Sequence, residues 1–264
     1  MSLAESISGS NKMEYNPGNK MSIVGPEERL KRGIWPRSVP LWMATFYMSL
    51  FIIRPWEQIF PSLGDIHFMR IYAVCTMAVV FFSNKKRFQM NFQTLAIILF
   101  LFAISFSMVF AWNPSLSWEP FYEYLTLIIF YFILIMVIRT PYDLVFMVTC
   151  YIVTTAVYLA KSQMEFFFFG QHRYDPGAGI VRMCGIESTF GGPNSLAMSI
   201  VVSLPMLLFL WSIRKELSDT WPASWRRWFP RFLVFYFLLA ASSIILTNSR
   251  SGMVSFILFI KKTC

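Results

Sequence analysis

The sequence predicts an all-α, polytopic integral membrane protein with about eight transmembrane helices joined by short loops. Three observations carry this expectation. Of 264 residues, 56% are hydrophobic and 14% charged, with mean hydropathy +0.53, against about 45–50% and about 25% in soluble domains. With 28 Phe, 9 Trp and 16 Met, too few polar side chains remain to cover a soluble surface. Apolar stretches recur from Val39 onward with short interruptions, and roughly 20 such residues carry a helix across about 30 Å of hydrocarbon. The basic residues, finally, concentrate in alternate connections.

Taken in order, residues 1–38 form a polar tail rich in Ser, Asn, Gly and Lys that closes on Arg29, Lys31, Arg32 and Arg37. A secretory signal needs an apolar stretch of about 7–15 residues and a small-residue cleavage site near the N-terminus. None precedes Val39, so the first apolar segment is expected to stay attached as an anchor. Residues 39–264 then form one transmembrane domain, with spans near 39–53, 68–82, 93–111, 123–138, 144–160, 194–213, 232–247 and 253–260 and a main outer loop at 161–194. Several spans are short, so their ends borrow from flanking aromatic and polar residues. Arg54, Pro55 and Trp56 read as an interfacial anchor, the aromatics around Glu119 and Glu123 as an interface belt, and Phe166 to Phe169 as a headgroup-level anchor.

The tail, the segments 83–88, 139–143 and 214–231, and the end after Ile260 hold 17 of the 23 Lys and Arg. The other side holds 6, namely Arg54, Arg70, Lys161, Arg173, Arg182 and Arg250, whereas the acidic residues divide 7 and 7. This positive-inside bias places the N-terminus in the cytoplasm. It also accounts for the net charge of +9 without nucleic acid, and none is expected as a partner. Cys75, Cys150, Cys184 and Cys264 show no CxxC or Cys/His spacing. No phosphate-binding loop, dinucleotide fingerprint or nucleophile elbow is present, so no metal or cofactor is expected.

Chemistry is expected in three outer segments. Gln171-His172-Arg173-Tyr174-Asp175 and Arg182 lie in the longest loop; arginines at a membrane surface grip phosphate oxygens with bidentate, charge-assisted bonds, or simply touch lipid headgroups. Gly191-Gly192-Pro193-Asn194-Ser195 stops the chain where a helix begins, with Asn194 or Ser195 as N-cap. The N–H groups of that helix start would face an anion brought by Arg182, although an ordinary cap and turn would look the same. Leu246-Thr247-Asn248-Ser249-Arg250-Ser251-Gly252 leaves almost no loop between two apolar runs. An arginine there is expensive unless paired, wet or functional, or snorkelling. Arg182 and Arg250 on one side could converge on a diphosphate, with Thr247, Asn248 and Ser249 as further donors. His67 and His172 are outer histidines that read as bases or as interfacial side chains.

Arg182, then Gly185-x-x-Ser-Thr-Phe-Gly-Gly-Pro-Asn-Ser-Leu-Ala, a span, a basic inner loop, a span and Leu-Thr-Asn-Ser-Arg-Ser-Gly together resemble the bacterial O-antigen ligase and O-antigen polymerase superfamily. Its signatures commonly run G-T-F-x-N-P-N-x-x-A and L-T-x-S-R-G; here Ser188 and Gly192 replace the usual Gly and first Asn, and Ser251 separates Arg250 from Gly252. Arg54-Pro55-Trp56-Glu57 with Pro61 and Leu63 is similar to the first outer loop of exosortase-associated members. The specific motifs are confined to residues 182–197 and 246–252.

The resemblance implies a multi-pass glycosyltransferase of the bacterial inner membrane. It would take a glycan from an undecaprenyl-diphosphate carrier and join it, at the periplasmic face and without a metal, to a lipid or protein acceptor or to another repeat unit. Arg182 and Arg250 would clamp the diphosphate, helped by Asn194, Thr247, Ser249 and Arg173. Family members continue into a large periplasmic loop whose histidine activates the acceptor, whereas this sequence stops at Lys261-Lys262-Thr263-Cys264. The expectation is therefore a missing C-terminal half, an inactive chain on its own, and His172 as the weak substitute base. Alternatives are a transporter or channel, which the near absence of ionisable residues within the spans disfavours, and a non-catalytic membrane subunit.

Overall fold

The computed structural model describes residues 38–55, 68–83, 91–176, 179–186, 190–218 and 223–263. The expectations for the 1–37 tail, Trp56, Glu57, Pro61, Leu63, His67, the basic turn at 84–88, Glu187 to Thr189 and Cys264 lie outside these residues, as do those for the side chains of Glu119 and Glu123. The described chain is 84% helical. Its helices are α1 (Val39–Ile53), α2 (Phe68–Phe82), α3 (Phe92–Val109), α4 (Pro114–Val137), α5 (Pro141–Phe168), α6 (Pro193–Ser218), α7 (Ala223–Thr247) and α8 (Arg250–Thr263). Between α5 and α6 stands a hairpin of β1 (His172–Asp175) and β2 (Ile180–Met183).

Five helices, α3 to α7, are long and apolar enough to cross a membrane. Among the described residues, five of the eight expected spans meet the length. With 15, 15 and 14 residues, α1, α2 and α8 reach only about 21–23 Å at about 1.5 Å per residue, short of the roughly 30 Å core.

Local chemistry fixes the ends. Thr140 and Asp143 make a capping box at the start of α5: Thr140 Oγ1 accepts from the Asp143 amide at 3.2 Å, and Asp143 Oδ2 accepts from the amides of Thr140 at 2.9 Å and Arg139 at 3.2 Å. Pro141 follows at the first helical position, where its missing N–H costs nothing. α5 then runs to Phe168 and stops at Gly170, whose φ of +67° glycine adopts freely. The connection between α5 and α6 is therefore shorter than the expected 161–194, because nothing at 161–168 breaks a helix. α4 likewise begins earlier, at Pro114, and carries Pro120 inside it.

α5 lies at the centre, packed on α1, α6 and α7; α6 and α7 pair most extensively, α8 rests on both, α1 holds α2, and α3 lies on α4. The core runs through Leu41 and Ala44, Ile152 and Leu159, Leu196, Ile200 and Leu204, and Leu233, Tyr236 and Ala240. Polar bonds tie the helices: Ser49 to Thr154 at 2.9 Å, Tyr236 OH donating to Ser203 at 2.5 Å, and Gln163 Nε2 donating to Ser242 at 2.7 Å and Ser243 at 3.0 Å. Within lipid such bonds average about 0.6 kcal/mol and reach about 1.7, and they fix which faces meet. The face of α3 bearing Leu99, Phe102 and Phe106 is exposed, as suits apolar surroundings; Thr94, hydrogen-bonded to Tyr131 at 3.1 Å, is its one buried residue.

Candidate functional site

One end of the bundle gathers the β1–β2 hairpin, the start of α6, the end of α7 and the start of α8. α7 closes at Thr247 and α8 opens at Arg250, so Asn248 and Ser249 make the whole turn. Asn248 takes the left-handed conformation, φ +49°, that Asn tolerates better than most residues. Ser249 caps α8: its Oγ accepts from the Gly252 amide at 3.3 Å and its carbonyl from the Met253 amide at 2.9 Å. A Cβ on Gly252 would meet Ala197 Cβ at 2.7 Å, so a small residue there lets α8 lie hard against α6.

α6 opens at Pro193 rather than after Asn194 or Ser195, and the Leu196 amide bonds the Gly192 carbonyl at 3.0 Å. The expected N-cap is thus displaced to Gly192, because proline's fixed φ suits the first helical position. Asn194 consequently stands on the first turn, exposed, with its side chain available. Just before it, Gly185 donates its amide to the Phe190 carbonyl at 3.1 Å, and Ile186 donates to Tyr158 OH at 3.1 Å. A Cβ on Gly185 would collide with Phe190 O and Tyr158 OH.

In the hairpin His172 faces Met183 and Arg173 faces Arg182 across the ladder. Alternation puts Arg173, Arg182 and Asp175 on one face and His172 and Met183 on the other. Met183 is fully buried, while His172 is exposed and meets the edge of Phe166, ring centroids 6.5 Å apart.

Arg182 joins these parts. Its Nε donates to the Thr247 carbonyl at 3.0 Å, its Nη2 donates to Asn194 Oδ1 at 2.8 Å, and its Nη1 lies 3.7 Å from Asp175 Oδ2. One guanidinium therefore holds β2, the first turn of α6 and the last turn of α7, which is the work its rigid fork does well. Burial pushes the Cys184 thiol above its ordinary range, against the opposing pull of the Arg173 backbone hydrogen bond and of the Arg173 and Arg182 charges.

Of the residues expected from the sequence, Arg182, Asn194 and Thr247 meet directly, and Ser249 and Arg250 follow in the adjoining turn. Arg173 shares the hairpin face of Arg182; His172 does not. The donors expected at Thr247 and Ser249 are turned inward: the Thr247 hydroxyl bonds the Ile244 carbonyl at 2.7 Å, Ser249 Oγ is held within the α8 cap, and both residues are fully buried. Arg173 and Arg250 are exposed. Like charges directly opposite across a strand pair repel, and Asp175 offsets only part of that cost for Arg173 and Arg182. Two partners went unnoticed in the sequence: Asp175, whose place two residues after Arg173 was its only signal, and Tyr158, hidden in an apolar span. Among the described residues no group of three or more His, Cys, Asp or Glu could hold a metal ion. Compared with protein-family models, curated proteins and solved structures, the chain matches none.

Proposed function

We propose that this chain is a multi-pass protein of a bacterial inner membrane that holds an undecaprenyl-diphosphate-linked glycan at the hairpin end of its bundle and serves glycan transfer of the O-antigen ligase and polymerase type. The observation that carries the reading is the junction at Arg182, where the two motif-bearing segments meet through Asn194 and Thr247.

In such a transfer the acceptor hydroxyl oxygen attacks the anomeric carbon and the carbon–oxygen bond to the diphosphate breaks. Its electron pair leaves with the lipid diphosphate, and the hydroxyl proton passes to a base. Negative charge grows on the leaving group, so donors fixed near it lower the barrier. A guanidinium has five N–H donors; Thr247 and Asn194 take two from Arg182, leaving others for phosphate oxygens. Exposed Arg173 and Arg250 supply more, and an anion between Arg173 and Arg182 would relieve their repulsion. His172 stands on the opposite hairpin face, away from these arginines.

A photoactivatable lipid diphosphate added to the chain in liposomes tests the reading. Crosslinks are expected in peptides spanning 171–186 and 246–256, with Arg250→Ala reducing them on the order of tenfold or more. Crosslinks confined to the opposite end, or glycan transfer that survives both Arg182→Ala and Arg250→Ala, would overturn it.

A further inference from the structure

The end of the bundle opposite the hairpin is chemically different. α6 closes, α7 opens and α8 closes there, and the three pack on one another. Three contacts set their relative heights: Tyr236 with Ser203 between α7 and α6, the Phe237 and Phe256 rings 6.0 Å apart between α7 and α8, and Gly252 against Ala197 between α8 and α6. Counting about 1.5 Å per residue from these anchors, Arg231, Lys261 and Lys262 share one height. Arg214, Arg226 and Arg227 stand one to two turns further out. Arg226 also falls, three turns from Phe237, on the face of α7 that meets α8.

Six cations thus form two tiers, and five of them, all but the half-buried Arg214, are exposed. Arg214 stacks over the Trp211 ring at 3.8 Å, and Arg231 lies 5.4 Å from the Trp228 centroid; Trp225 and Trp228 are themselves 53% and 65% exposed. Residues 214–231 with Lys261 and Lys262 contain seven basic residues against Glu216 and Asp219. Asp143, at the same end of α5, is already held by the amides of Arg139 and Thr140. The Arg139 Nε beside it is buried with no hydrogen-bond partner among the described residues.

We infer that these helix ends form a binding site for the headgroup of an anionic phospholipid. Charge complementarity selects an anion, and the geometry selects a lipid. The outer tier begins about 6 Å beyond the inner one, at Arg227, the depth of one headgroup layer, about 5–7 Å on each side of the hydrocarbon, and Arg226 and Arg214 reach further toward water. Exposed tryptophans at that depth are the side chains that settle at a membrane interface, and lysine stems lie along apolar surface while their ammonium groups reach the phosphates. Basic pockets between membrane helices are the usual seat of such headgroups.

The inference rests on the membrane part of the proposed function and is independent of glycan transfer. The purified full chain in a neutral detergent is titrated with phosphatidylglycerol, with phosphatidylcholine, or with inorganic phosphate, and bound lipid is counted by native mass spectrometry. Phosphatidylglycerol is expected to bind well above phosphatidylcholine, with inorganic phosphate failing to displace it. Arg226→Gln and Lys262→Gln should each weaken binding on the order of fivefold, while Arg54→Gln, on a different helix end, leaves it unchanged. Equal binding of the two lipids, displacement by phosphate, or indifference to both substitutions would overturn the site. Resistance to alkaline extraction from neutral vesicles is scored separately: a protein that inserts but shows no anionic preference refutes the lipid site alone, whereas failure to insert refutes the membrane reading and the site with it.

Discussion

Replacing Arg182 by alanine should free the hairpin from the bundle without unfolding the bundle itself. The substitution removes two hydrogen bonds from an ionised donor, to the Thr247 carbonyl at 3.0 Å and to Asn194 Oδ1 at 2.8 Å. Such bonds contribute about 1.5–3 kcal/mol each. The Asp175 pair, at 3.7 Å with the carboxylate side chain 39% exposed, adds under about 1 kcal/mol. Water replaces part of the loss at exposed Asn194, which leaves about 3 kcal/mol, or on the order of a hundredfold in the equilibrium for hairpin opening. Amide hydrogen exchange of peptides covering 171–186 measures it: the Gly185 and Ile186 amides, held by Phe190 O and Tyr158 OH, should exchange on the order of a hundredfold faster, while peptides around Gln163 and Tyr236 stay protected. Arg182→Lys keeps the charge but cannot bridge both acceptors, so it should fall about midway. Unchanged exchange in Arg182→Ala would refute the reasoning.

Other perturbations follow from the same geometry. Gly185→Ala places a methyl against Phe190 O and Tyr158 OH and should cost about 1–3 kcal/mol, visible as a lowered thermal midpoint; an unchanged midpoint would mean the turn relaxes freely. Gln163→Leu severs the link from α5 to Ser242 and Ser243 and should cost about 0.6–1.7 kcal/mol, with a double-mutant cycle against Ser242→Ala recovering most of it. For Cys184, burial raises the folded thiol above its unfolded value. Folding is therefore unaffected by this group at low pH and loses stability as pH rises through the alkaline window in which only the unfolded thiol ionises. With the other three cysteines replaced by serine, alkylation of Cys184 should lag behind that of a free thiol at pH 8 and catch up only at higher pH; equal rates would contradict the burial.

Much of the fold was legible because apolar continuity is a strong one-dimensional signal. The limits 39–53 and 68–82 were recovered to the residue. The helix limits that differ share a cause: polar residues suggest loop where a helix tolerates them. Lys161, Gln163 and Glu165 still lie on α5, because backbone hydrogen bonding continues until Gly170 releases it, and Gln163 finds its partners on α7. α1 stops at Ile53 because Arg54 takes the left-handed conformation as its C-cap, a limit set by backbone geometry rather than by composition. At the site, Arg182 and Arg250 were legible as costly charges beside apolar runs. That Thr247 would offer its carbonyl and not its hydroxyl, or that Pro193 rather than Asn194 would open α6, was not, since both depend on backbone geometry at a contact between segments distant in sequence.

The central claim is that the hairpin end recognises a lipid-linked diphosphate, and the most direct measurement is the affinity of the reconstituted chain for a polyprenyl diphosphate against the corresponding monophosphate. Arginines acting as a clamp require the parent to prefer the diphosphate at least about tenfold, and Arg250→Gln combined with Arg173→Gln to erase that preference while insertion and helix content are kept. Equal affinity for the two phosphates, or a preference that survives the double substitution, would contradict the account.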